Sequence, residues 1–317
     1  MPHLSVAMCT YQGATYLEDQ LASILTQRRR PDSMVIVDDG SVDATMEIVH
    51  EFADYAPFPV KVRVNPVNLG FVRNFERAIS LADGEVIVLA DQDDVWRADR
   101  LERTERVFED APEVAFVFSD AELVDASLRP LGERLSQAVG FGPEARRLAR
   151  SGGLFEVLVR GNVVTGSTMA FRSRYRPLLL PLVDGVEHDA WIALVLSAIA
   201  PAVYLDEPLL QYRQHGGNAI GARHTGVAAR VKRARDSRTV GLESQRTRNE
   251  AALERLANVP LSTSRREMLR EATAHLGVRA TLPEGRLRRV VPVVRELSGG
   301  RYRLSRGFVS ALRDLIA

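Results

Sequence analysis

The sequence has a single cysteine, Cys9, among its 317 residues. One thiol forms no intrachain disulfide, which excludes the stapled secreted scaffolds and fits a reducing, cytoplasmic setting. Cys9 adjoins an apolar run, so a buried structural thiol is expected there, not a reactive one. No window reaches about 18 consecutive apolar residues, so no membrane-spanning helix is expected. The N-terminus goes straight into a strand-like run at residues 4–8, so no signal peptide is expected either. Internal repeats and low-complexity tracts are also missing. What is present is an ordinary globular balance of 45% hydrophobic and 26% charged residues. The length suits one large domain and a smaller one.

The net charge of +1 hides an asymmetry. From Arg223 onward there are 21 Lys and Arg against 9 Asp and Glu, a net +12; the preceding residues hold 21 against 32, a net −11. A basic tail on an acidic body bears on partners, although a charge run is as readily a solvated helix face.

Residues 1–120 alternate strand and helix signals. Strands are expected at 4–8, 34–37, 60–64, 86–90 and 114–118. Helices are expected at 16–27, 45–52, 71–81 and 99–108. That alternation predicts an α/β fold with a mostly parallel sheet and helices on both faces. In such sheets ligands sit beyond the carboxyl ends of the strands. Polar residues do come directly after the strands: Thr10 and Tyr11, then Asp38 and Asp39, then Asp91, Asp93 and Asp94. Residues 121–222 are less regular, with a strand or hairpin at 162–171, an apolar helix at 187–199, a short strand at 203–205 and a loop at 212–221. Beyond 223, helices are expected at 230–236, 242–256, 265–276 and 309–316.

Five constellations carry chemistry. Asp91, Gln92, Asp93 and Asp94 place three carboxylates within four residues, directly after a buried strand. Such crowding of like charge is unfavourable unless a cation offsets it, and oxygen donors select Mg²⁺ or Mn²⁺. The alternative is a capping cluster for a helix over 96–108. Asp38, Asp39 and Gly40 end the second strand, where a carboxylate can accept from the imide N–H of uracil or thymine; a plain turn with a capping aspartate reads the same way. Arg73 lies near a helix start, where the dipole disfavours a cation unless an anion such as a diphosphate is close, or else it is a surface arginine. Asp189 opens an apolar helix after Glu187 and His188, as a general base or simply as a first-turn carboxylate. His215, before Gly216, Gly217 and Asn218, either reaches a metal or diphosphate or is structural.

Taken in order, these segments resemble the inverting family 2 glycosyltransferases of GT-A fold, and more narrowly their rhamnosyltransferase-like branch. The matching pieces are Cys9-Thr10-Tyr11-Gln12-Gly13, Asp38-Asp39-Gly40-Ser41 and Asn68-Leu69-Gly70-Phe71-Val72-Arg73-Asn74-Phe75. They continue as Asp91-Gln92-Asp93-Asp94-Val95-Trp96, Thr165-Gly166-Ser167-Thr168, His188-Asp189-Ala190-Trp191 and Tyr212-Arg213-Gln214-His215-Gly216-Gly217-Asn218. The resemblance implies that Thr10, Tyr11 and Asp39 hold the base, with Asp38 close by and Arg73 near base and phosphates. It implies that Asp91 and Asp93 bind Mg²⁺ or Mn²⁺, that His215 contacts metal or diphosphate, and that Asp189 is the catalytic base. Cys9, Gln12 and His188 stand where the family often has Pro, Asn and Glu.

The expectation is therefore a cytoplasmic, metal-dependent enzyme that moves a sugar, from dTDP-rhamnose or a UDP-hexose, to a saccharide or lipid-linked acceptor. Residues 1–222 form its catalytic domain, with a nucleotide-binding half at about 1–120 and an acceptor half at about 121–222. Residues 223–317 form an Arg-rich helical tail, with an apolar-faced helix at 302–316 suited to the inner membrane face. The rivals are a nucleotidyltransferase, against which the missing Gly-rich loop and lysine argue, and a non-catalytic binding module, which needs no Asp91, Asp93 and Asp189 together. Nothing marks a nucleic-acid-binding module.

Overall fold

The apolar run at residues 4–8 extends into β1 (Leu4–Thr10), buried along its whole length in the computed structural model of the chain. The structure describes residues 1–215 and 227–316, with 227–239 by backbone alone; Gly216, Gly217 and Asn218, the rest of the expected loop to 221, and Arg223 lie outside the described residues. Two units are present: Met1–Leu154 with Val163–Gly221, and Phe155–Asn162 with Ala222–Ala317.

In the first unit β1 is followed by α1 (Leu17–Leu25), β2 (Ser33–Asp38), α2 (Thr45–Tyr55), β3 (Val60–Val64), α3 (Phe71–Leu81) and β4 (Val86–Ala90). The continuous apolar runs of β1, β2 and β4 make strands buried on both faces. Leu4, Val6 and Met8 are fully buried, each contributing about 1.5–3 kcal/mol. The order β3-β2-β1-β4 is parallel, with Met8 opposite Ile36 on one side and Ala90 on the other. The chain winds outward from β1 to β3, and α3 then carries it back across β1 to β4. The strand order reverses between β1 and β4, so a crevice opens where Thr10 and Ala90 end.

The sheet continues through β5 (Val95–Trp96), β6 (Phe116–Val124), β7 (Pro130–Arg134), β8 (Met169–Arg172) and β9 (Ala202–Arg213), with α4 (Arg100–Asp110), α5 (Leu135–Ala138), α6 (Pro143–Leu148), α7 (Leu154–Arg160), α8 (Arg176–Leu179) and α9 (His188–Ile199) between them. Its order runs β4-β8-β6-β9-β5, with β7 on β6. β8 is antiparallel to β4 and β6, whereas β9 is parallel to β6. Every residue of α9 from His188 to Ala198 is buried, as a helix apolar on all sides requires.

The helix over 96–108 that the capping alternative needs is not formed: Val95 and Trp96 pair with Gln211 and Leu210 of β9, and α4 starts at Arg100, in line with the helix expected at 99–108. The short strand expected at 203–205 is the twelve-residue β9. Asp206, Glu207 and Pro208 break its apolar pattern, and a bulge absorbs them: the register jumps from Ser119 opposite Leu205 to Asp120 opposite Pro208. That extension brings Tyr212 and the residues after it to the crevice.

The second unit takes in most of α7, whose Leu158 carbonyl accepts from Arg248 (2.9 Å) and whose Val159 carbonyl accepts from Gln245 (3.2 Å). Its other helices are α10 (Val227–Arg255), α11 (Thr263–Ala280), α12 (Arg286–Ser298) and α13 (Phe308–Ile316). α10 is one helix where two were expected. α12 was not expected, since Pro292 sits inside it and an interior proline ordinarily ends a helix. The helix expected at 302–316 is broken by Gly307, whose φ is +59°. Asp314 is fully buried and accepts from Arg279 (2.8 Å) and the Tyr302 hydroxyl (2.8 Å). His275 Nδ1 lies 2.7 Å from the buried Glu296 carboxylate.

A cleft at the ends of β1 and β4

The crevice holds a cleft of about 370 Å³ in the first unit, lined by Thr10, Tyr11, Asp39, Asp91, Asp93, Asp189 and His215 among others. Seven of the nine side chains to which the family resemblance gives a place in the site thus meet here. The two that do not are Asp38 and Arg73.

The acidic loop comes directly after β4. Asp91 is held well above the usual carboxylate range, first by burial and then by Asp94, Asp93 and Asp189. Asp94 is pushed up to about 7, again by burial first and by Asp93 second. The buried Arg100 guanidinium is brought down to about 9 by desolvation, which outweighs Asp94 and Asp91; it lies 3.9 Å over the Trp96 ring. Burial and mutual repulsion thus hold protons on Asp91 and Asp94 that a bound cation would displace. Asp94 also leaves one buried oxygen without a hydrogen bond.

His215 Nε2 lies 2.8 Å from Asp93 Oδ2, and its ring packs on Tyr16 at 4.6 Å. Arg213 fixes this arrangement. It is 2% exposed, and its guanidinium donates to the Asp93 carbonyl (2.8 Å), the Ala126 carbonyl (2.7 Å) and the Asp19 carboxylate (2.8 Å). Its own N–H donates to Asp94 at 3.2 Å. Arg213 thereby ties the acidic loop to the end of β9. Arg213→Ala is expected to cost about 2–4 kcal/mol, through lost charge-assisted hydrogen bonds and a cavity. The fall in urea midpoint at constant slope measures it.

At the end of β2 the two aspartates divide their tasks. Asp38 is fully buried and accepts from the Thr10 hydroxyl (2.8 Å), the Gly40 and Ser41 N–H groups (3.0 and 2.7 Å) and the Ser41 hydroxyl (2.6 Å). It anchors a turn. Asp39 lines the cleft and accepts from Asn65 (2.7 Å), Leu69 N–H (2.8 Å) and Gly70 N–H (2.8 Å). It thus holds the entry to α3, where Gly70 adopts φ +79° at the N-cap, a conformation that favours glycine. Arg73 has its anion, but that anion is protein. It pairs with Glu76 and Asp184, both at 2.6 Å, and donates to the Leu182 carbonyl at 3.3 Å; it does not line the cleft.

Asp189, in the first turn of α9, is 9% exposed. Its oxygens accept from Gly166 N–H (2.9 Å) and Ala190 N–H (2.5 Å). Burial raises its pKa to about 6 against the lowering effect of those N–H groups. His188 beside it is buried, stacks on Phe75 at 4.0 Å and makes no hydrogen bond through either ring nitrogen. Desolvation lowers its pKa to about 3, so it is neutral. Sequence reasoning gave no role to Tyr212, which also lines the cleft. Burial and then the surrounding aspartates push its hydroxyl far up, so it stays a donor. Cys9 is buried as expected, and burial, Asp91 and Asp39 raise its thiol well above the ordinary range.

The donors present suit a divalent ion that a substrate completes. Among the described residues no three His, Cys, Asp or Glu side chains form a metal cage, so a closed structural zinc site is excluded there. Mg²⁺ and Mn²⁺ are ordinarily held by one or two carboxylates together with substrate phosphates. Asp93 and His215, already in contact and open to the cleft, with Asp91 beside them, fit that mode.

Comparison with known proteins agrees with the geometry. The chain is 28% identical over 222 residues to an uncharacterized glycosyltransferase of Nostoc sp., covering 68% of this chain and 66% of that protein. It is 29% identical over 220 residues to EpsH of Bacillus subtilis, covering 68% of this chain and 61% of that protein. The chain therefore spans just under two thirds of the length of these relatives. Among solved structures, S. aureus TarS 1–349 in complex with UDP superposes with a TM-score of 0.60 at 14% identity, over 98% of this chain and 88% of that one. The mannosyltransferase PcManGT of Pyrobaculum calidifontis, in complex with GDP-Man and Mn²⁺, does so at 0.56 and 17% identity, over 99% and 87%. Both share the GT-A-like fold. The profile named Glycosyl transferase family 2 matches residues 5–174, more than half of the sequence, and the chain belongs to that family.

Proposed function

We propose that this chain transfers a sugar from a nucleoside diphosphate to an acceptor hydroxyl, with inversion, in the synthesis of a surface polysaccharide or glycolipid. The observation that carries the reading is the juxtaposition in one cleft of a buried carboxylate with a raised pKa, Asp189, and the acidic pair Asp91 and Asp93. Thr10, Tyr11 and Asp39 lie at the nucleotide end of that cleft in this reading. The exposed Tyr11 ring offers a face for the base, and Asp39 an oxygen for its imide. Thymine and uracil both present that N–H, so dTDP-rhamnose and UDP-hexoses are the donors to test.

Asp93 and His215, with Asp91, would hold a divalent cation; when bound, it offsets the charge that develops on a departing diphosphate. Asp189 is ionised above about pH 6 and takes the proton of the attacking hydroxyl. Gly166 and Ala190 N–H groups fix its carboxylate in one orientation. A single displacement inverts the anomeric centre, through a transition state with oxocarbenium character.

A thermal-shift screen of nucleoside diphosphate sugars with Mn²⁺ or Mg²⁺ tests the reading, since a ligand bound only by the folded state raises the Tm. One donor class is expected to raise Tm only with metal, and an acceptor is then expected to release the nucleoside diphosphate. Binding without release under any acceptor points to a non-catalytic module, and no shift with any donor removes the proposal.

A further inference from the structure

The charges of the C-terminal helices are sorted by burial. Between residues 285 and 316 every exposed charged side chain is an arginine. The two carboxylates of that stretch, Glu296 and Asp314, are turned inward at 3% and 0% exposure, on His275, Arg279 and Tyr302.

Val293, Tyr302, Leu304 and Ala311 are buried, but other apolar residues face outward. On α12 the buried side is formed by Arg289, Val293 and Glu296. At about 100° per residue, Leu287, Val291 and Val294 fall on another arc, and they are 89%, 75% and 52% exposed. Arg288 and Arg295 border it on one side and Arg286 on the other. On α13, Phe308, Leu312 and Ile316 form a second such arc, 70%, 46% and 54% exposed, with Arg313 at its edge. Exposed apolar arcs whose only exposed charged neighbours are arginines have the composition of helices lying in a lipid interface.

We infer that α12 and α13 form a docking face for an anionic phospholipid surface, with the aliphatic arcs among the acyl chains and the arginines at the headgroups. Charge selects this occupant. A two-fold contact with a second copy would set arginines against arginines. A nucleic acid would leave the aliphatic arcs facing phosphates.

The test is co-flotation of the full chain with phosphatidylcholine vesicles, with and without phosphatidylglycerol. Binding is expected only with the anionic lipid and is expected to fall as salt screens it. Each of Arg288→Gln, Arg295→Gln and Arg313→Gln is expected to lower the partition coefficient about fivefold. Val291→Ser with Leu312→Ser is expected to weaken binding while leaving its salt dependence. These side chains are exposed, so an unchanged Tm shows that the variants fold. Equal binding to neutral vesicles, no binding to either, or full retention by the triple Arg→Gln variant overturns the inference. So does a dimer in sedimentation that Val291→Asp dissolves. Donor binding by the same preparation reports the cleft separately, so failure here leaves the proposed transfer standing.

Discussion

Asp189→Asn is expected to lower kcat by about 10²- to 10⁴-fold, the usual share of a general base, with donor affinity unchanged. The asparagine keeps one acceptor oxygen, whereas the carboxylate takes N–H groups on both. One N–H is then unpaired, at a cost of about 1–3 kcal/mol, so the loss of rate must be measured at a temperature where the variant is folded. The pH profile separates chemistry from stability. Burial sets the Asp189 pKa at about 6, so kcat of the parent enzyme is expected to fall on an acid limb near that pH. The residual rate of Asp189→Asn is expected to lack that limb. A variant with parental kcat, or with the same limb, removes Asp189 from the role of base.

Asp93→Ala is expected to have two opposite effects, gaining stability and losing metal-stimulated binding. Asp94 titrates near 7 in the folded state and near 3.8 unfolded. The folded state therefore holds the extra proton between those values, so stability is highest below about 4 and is lost as pH rises through about 7. Asp91 shifts in the same direction. The metal-free protein is thus expected to melt higher at pH 5.5 than at pH 7.5; Asp189, raised to about 6, works in the same sense, and His188, lowered to about 3, and His275, also lowered, oppose it without reversing it. Removing Asp93 takes away a like charge that raises both neighbours, so metal-free Asp93→Ala is expected to be more stable at pH 7.5, by about 1 kcal/mol. It is also expected to lose at least about tenfold in donor affinity with metal, since losing even an outer-shell partner of a metal ligand typically costs that much. A less stable variant that keeps metal-stimulated binding contradicts both parts.

Much of this site is legible in residue order because parallel sheets impose a rule on it. A strand buried on both faces reads as an unbroken apolar run, and the residues just past its carboxyl end face the crevice. Thr10, Asp39 and Asp91 obey that rule, each at or directly after the end of such a strand. The rule is silent on where a side chain turns. Asp38 and Asp39 are adjacent, yet Asp38 turns into the loop that it caps and Asp39 lines the cleft. Arg73 needs an anion, as its place in α3 predicts, but its partners Glu76 and Asp184 include one more than a hundred residues away, beyond any local pattern. Asp206, Glu207 and Pro208, which a bulge accommodates, conceal β9, and with it the approach of Tyr212. Pro292 conceals α12. The pair Asp93 and His215 joins residues 122 apart; only the family resemblance, and no spacing, puts them in one site.

In the proposed enzyme, a divalent cation and a donor diphosphate share the cleft with the carboxylates beyond β4 and offset their crowding. Calorimetric titration of the donor found in the thermal screen, at pH 7.5 with Mn²⁺ and again with EDTA, tests this directly. Binding at least about tenfold tighter with Mn²⁺ is expected, and equal affinity in the two titrations contradicts the claim.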